Sequence, residues 1–158
     1  MAIDDTIKTL TAIYQSINQG IPKRTASPDA LVNHLNDLYS ESGDDLSSRE
    51  LFRYDDVRSP SITLTVSIDV EFDLKKVMDN MRKKLHAEPC NETDEIGKTG
   101  IVWSHGRYDF VYDDNAGILR ISHRYSHKKG YTKSVLSIIK TMIKYAKDYL
   151  EEIKKFVE

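Results

Sequence analysis

Residues 62 to 72 alternate without a break: Ile62, Leu64, Val66, Ile68, Val70 and Phe72 are apolar, and Thr63, Thr65, Ser67, Asp69 and Glu71 between them are polar or charged. Successive side chains of a strand point to opposite faces, so this pattern specifies a strand with one dry face and one wet face. The chain is thereby committed to a sheet whose dry face is covered by helices and whose other face carries hydroxyls and carboxylates.

The helices that can provide the cover are readable from their spacing. Ile3, Ile7, Leu10, Ile13, Tyr14 and Ile17 recur at steps of three and four, and Gly20 and Pro22 end that segment. Ser27-Pro28-Asp29 announces a second helix, with a capping hydroxyl ahead of a proline whose missing N–H costs nothing at the first helical position. Leu31, Leu35, Leu38 and Tyr39 form its apolar stripe and Gly43 stops it. Ser47-Ser48-Arg49-Glu50 has capping-box spacing and predicts a short third helix carrying Leu51, Phe52 and Tyr54. After the alternating strand, Asp73 is a natural N-cap for a helix over 74–87 built on Leu74, Val77, Met78, Met81 and Leu85, which Pro89 keeps from extending. A polar loop follows. Gly100 to His105, Arg107 to Tyr112 and Ile118 to Tyr125 read as three short strands of an antiparallel meander. A long helix over 132–156 closes the chain, with an apolar face wider than one contact requires.

The predicted fold is α+β in the order ααα-β-α-βββ-α: a four-stranded, mostly antiparallel sheet with helices on one face and a long C-terminal helix. It is read as a single domain over 1–158, with an N-terminal helical portion at 1–59 and a sheet-and-helix core at 60–158. Because the outer face of the first strand is polar, the N-terminal helices are expected to pack on the broad face of the final helix. The alternative is that a second copy of the chain shares that face as a homodimer.

Hydrophobic residues make up 39% of the chain and charged residues 30%, a balance that fits neither a disordered tail nor a membrane protein. The N-terminus carries Asp4 and Asp5 where a secretory leader needs positive charge, and the single Cys90 forms no internal disulfide, so the expected compartment is the cytoplasm. Net charge is only −2, yet residues 126–158 hold eight Lys and Arg against four Asp and Glu, whereas residues 1–60 hold six against ten. Anionic partners should favour the C-terminal side and cationic partners the N-terminal side.

No catalytic, metal or cofactor motif stands out. Gly97-Lys98-Thr99 resembles the end of a phosphate-binding loop, but Glu92 stands where that motif needs glycine, and the tripeptide precedes a strand rather than a helix. His123 and His127 are four apart, with Cys90, His86 and His105 as further ligands in principle. They fall on a strand end and a loop, where helical spacing loses its meaning. Asp44-Asp45, Asp55-Asp56 and Asp113-Asp114 sit in turn-forming contexts that usually need carboxylates for loops and caps. The segment that concentrates charge runs from Arg120 through Arg124, Lys128 and Lys129 to Lys133, leading from the last strand into the last helix, with Arg107 as a neighbour. Cations beside a helix start suit an anion or a nucleic-acid backbone. The bland reading of the same residues is a solvated surface that balances the acidic N-terminal half.

Taken together, these features predict a non-enzymatic interaction domain, a small regulator or inhibitor that binds another protein through a charged surface. Asp37, Glu41, Asp44 and Asp45 form the acidic side of that surface. The alternatives are nucleic-acid binding through Arg107, Arg120, Arg124, Lys128, Lys129 and Lys133, or a small-molecule enzyme or carrier. No cofactor and no metal are expected.

Overall fold

The computed structural model describes residues 3–20, 28–41, 51–55, 61–68, 70–85, 88–93, 100–105, 108–113, 117–124 and 131–157. In chain order these form α1 (Ile3–Gln19), α2 (Pro28–Glu41), β1 (Phe52–Asp55), β2 (Ser61–Ser67), α3 (Leu74–Leu85), β3 (Glu88–Thr93), β4 (Gly100–His105), β5 (Tyr108–Asp113), β6 (Ile118–Arg124) and α4 (Tyr131–Lys155). The fold is α+β with a long C-terminal helix, as predicted. The four predicted strands lie side by side as β2-β6-β5-β4, antiparallel throughout.

One further strand is added at each edge, giving the order β1-β2-β6-β5-β4-β3. Both additions correct the sequence reading. The expected third helix does not extend over Leu51 to Tyr54: Phe52–Asp55 is β1, paired with β2 from Phe52↔Leu64 to Asp55↔Ser61. Phe52 is buried and Arg53 exposed, so period two prevails over a capping-box signal, whose own residues lie outside the described ones. The polar loop after α3 contains β3, which pairs with β4 and shifts register between Pro89 and Asn91. Proline and a bulge are both tolerated on an edge strand, where one side of the backbone has no ladder to serve. The alternating strand is also shorter than its pattern. Past Ser67, the Ile68 N–H donates to the Gly117 carbonyl at 2.7 Å, and Phe72 bridges to Val157 instead of continuing the ladder.

Ile62, Leu64, Val66, Phe110, Tyr112, Leu119 and Ile121 form the dry face of the sheet. α4 lies against it over β2 and β6, burying Val135, Ile139, Met142, Ile143, Ala146 and Leu150. The breadth of the α4 apolar face is explained by two further contacts. α1 runs antiparallel along it, with Lys154 Nζ 2.6 Å from Asp4 Oδ1 near one end and Lys140 Nζ 5.3 Å from the Tyr14 ring centroid near the other. α3 flanks it from the other side. The expectation that N-terminal helices cover α4 therefore holds for α1, whereas α2 packs chiefly on β1 through Leu31, Val32 and Leu35. Leu136 and Tyr145 are half-buried against the core.

Candidate functional site

Parity along β6 decides where its charges stand. Leu119, Ile121 and His123 are buried beneath α4, so Arg120 and Ser122 belong to the opposite face, which no helix covers among the described residues and where both are half-buried. Arg120 stands opposite Thr65 on one side and Val111 on the other. Ser122 stands opposite Thr63, with the two hydroxyl oxygens 3.2 Å apart. Ser61, Thr63, Thr65 and Ser67 continue the hydroxyl row on β2.

The same parity brings carboxylates to this face. Asp109 and Asp113 flank Val111 on β5, so Arg120 has an aspartate on each diagonal, at the roughly 7–8 Å separation of such neighbours. On β1, Arg53 stands opposite Thr63 and Asp55 opposite Ser61. This face thus carries small hydroxyls with cations and anions interspersed among them. The aspartates were not recognised as part of the surface from sequence. The available signal was their even spacing of four in Asp109-Phe110-Val111-Tyr112-Asp113, which puts both on one face, out of phase with the buried Phe110 and Tyr112.

Of the other basic residues predicted to act together, Arg124 pairs in register with Ser61, four residues along β6 from Arg120, and Lys133 lies in the first turn of α4. Arg107, Lys128 and Lys129 lie outside the described residues. On the acidic side, Asp37 is exposed on α2 and Glu41 is the last residue of that helix, one turn further on. Asp44 and Asp45 lie outside the described residues, as do the Gly97-Lys98-Thr99 turn, His86 and His127. Among the described residues, no group of three or more His, Cys, Asp or Glu is placed to hold a metal ion. Among the same residues, no helix is long and apolar enough to cross a membrane.

Two buried polar clusters lie on the covered side of the sheet. His123 packs on Tyr108 with ring centroids 4.6 Å apart, and Tyr108 meets Tyr145 edge to face at 5.3 Å. Burial raises the Tyr108 phenol above its ordinary value against an opposing hydrogen bond with Thr141, and burial likewise raises Tyr145. Both phenols are therefore neutral at physiological pH. The second cluster joins α3 to α4 around the buried carboxylate of Glu152. Its Oε1 lies 3.1 Å from Lys84 Nζ and 3.2 Å from Lys155 Nζ, and its Oε2 accepts from Asn80 Nδ2 at 3.2 Å. Burial alone would raise this carboxyl, but the hydrogen bonds from Lys84, Asn80 and Lys155 outweigh it and hold the group below its ordinary value. Glu152 is a structural clamp. Sequence spacing alone assigns it to neither face, because it lies at the border between the apolar stripe and the charged side of α4.

No protein-family model matches the chain, and neither the curated proteins nor the solved structures compared with it include a match.

Proposed function

We propose that this protein is a non-enzymatic interaction domain of the small-regulator or inhibitor type, which binds another protein through its charged surface. The observation that carries the reading is the sheet face opposite α4, where Arg120 stands between Asp109 and Asp113 among the hydroxyls of Thr63, Thr65 and Ser122. Charges fixed on strands lose little entropy on binding, and alternating signs select a partner of matching pattern rather than any polyanion. A nucleic-acid backbone offers one sign only, and the aspartates at this face would repel it. Asp37, exposed on α2, with Glu41 one turn further along the helix, is the separate acidic contact proposed for a cationic partner.

The test compares affinity capture by the wild-type chain, Arg120→Glu, Asp109→Arg, and Asp37→Lys combined with Glu41→Lys. Loss of one defined protein partner in the first two variants supports binding through the sheet face, and its loss in the third assigns the acidic patch. A partner retained by all of them rejects both surfaces. Nucleic-acid binding is the second reading, favoured by Arg120 and Arg124 lying four residues apart on one strand. It predicts a gel shift that weakens steeply with added salt as counterions are released. No shift at low salt removes it.

A further inference from the structure

We infer that Asn36 is a sheet terminator: its side-chain amide takes the place of the N–H and C=O that one residue of an added strand would offer, and keeps the β1 edge from pairing with a second copy of the chain. This goes beyond the proposed function, since it concerns an edge of the sheet rather than its open face. The Leu51 carbonyl accepts from the Thr65 N–H at 2.9 Å, and Arg53 is the register partner of Thr63, so the main-chain groups of residues 51 and 53 face β2. Those of Phe52, between them, face away from β2. An edge strand that presents such groups is a template for strand addition.

Asn36 meets both groups. Its Oδ1 accepts from the Phe52 N–H at 2.8 Å, and its Nδ2 donates to the Phe52 carbonyl at 2.9 Å. A primary amide carries a donor and an acceptor side by side, as the N–H and C=O of one extended residue do on the edge of a strand. The two bonds therefore reproduce the reciprocal exchange of a hydrogen-bonded antiparallel pair. The adjacent turn of α2 holds the amide in place, with Leu31, Val32 and Leu35 buried beside β1. At the opposite edge, β3 carries Pro89 and a register shift at Cys90, devices of a different kind with the same effect.

The experiment uses the full chain with Asn36→Ala and Asn36→Asp, reading exchange of the Phe52 amide proton by NMR and molecular mass over a range of concentrations. In the wild type, the Phe52 amide should exchange as slowly as the ladder amides of β1 and β2. Asn36→Asp keeps the acceptor and should hold that protection. Asn36→Ala should speed exchange by about tenfold or more, the worth of one hydrogen bond. It should also form a concentration-dependent species that the wild type does not form. Tyr54→Pro, added to Asn36→Ala, removes an N–H on the edge side without touching the β1–β2 ladder and should abolish that species. A wild-type Phe52 amide that exchanges like an exposed one overturns the inference, whatever the variants do. So does a folded Asn36→Ala protein of unchanged mass, or association that Tyr54→Pro leaves intact. If Asn36→Ala does not fold, Asn36→Asp takes over the association arm, because it has lost the bond to the Phe52 carbonyl. Association removed by Tyr54→Pro then supports the inference, and its absence overturns it.

Discussion

The Glu152 clamp predicts strong non-additivity between two lysines. The carboxylate is only 3% exposed, whereas Lys84 and Lys155 are 48% and 62% exposed. Each lysine by itself forms a solvent-screened pair, so Lys84→Ala or Lys155→Ala alone should cost no more than about 1 kcal/mol. Removing both leaves the buried charge, among the described residues, with one neutral donor, Asn80. A buried charge stripped of its partner costs about 3–5 kcal/mol, and the remaining amide bond places the double variant near the lower end, about 3 kcal/mol. For a chain of this length that corresponds to a fall in Tm of about 6–12 °C. Urea unfolding of the wild type, both single variants and the double variant at pH 7 gives the coupling energy directly.

The pH dependence provides a second reading of the same clamp. Folding lowers the Glu152 pKa, so the contribution of the ionised group is complete above its ordinary value of 4.5 and is lost as pH falls through the lower folded value. The gap between wild type and double variant should therefore close in acid, and Glu152→Gln should abolish it at pH 7. Additive lysines, or a gap that persists at low pH, would refute the account.

Three further outcomes follow from the packing. Phe110 is fully buried between Tyr145 and Tyr149, each ring centroid 5.6 Å away, so Phe110→Ala should cost about 3–5 kcal/mol in chemical denaturation. Gly117 has φ of 63°, and a Cβ there would lie 2.9 Å from the Ile68 carbonyl oxygen; Gly117→Ala should destabilise by more than about 1 kcal/mol, and an unchanged Tm would contradict this. The Lys154–Asp4 pair joins two exposed side chains, so Lys154→Met should leave the thermal transition unchanged at moderate salt.

The alternation on β2, the helical periods of α1, α3 and α4, and Asp73 as the α3 cap were legible because each is a local pattern with its own period. The Asp73 carboxylate indeed accepts from the Lys76 N–H at 3.2 Å. Strand parity also placed Arg120 opposite the buried side of β6. Sequence could not supply β1 and β3, because four to six residues carry too little periodicity to outweigh a capping-box signal or a proline. Their identity as strands is fixed by neighbours distant in sequence, Thr63 beside Arg53 and Trp103 beside Pro89. The charged plane around Arg120 was half legible for the same reason: each strand declares its own faces, but only pairing sets Asp109 and Asp113 beside Arg120. The Asn36 cluster, and the part of the Glu152 cluster that reaches beyond its i,i+3 neighbour Lys155, were beyond local reading. A side-chain hydrogen bond leaves no periodic trace, and its partners lie 16 and 72 residues away in the chain. Period and capping, which act within a turn or a strand, were set by sequence; register, edges and buried polar pairs, which need the chain folded back on itself, were set by the tertiary structure.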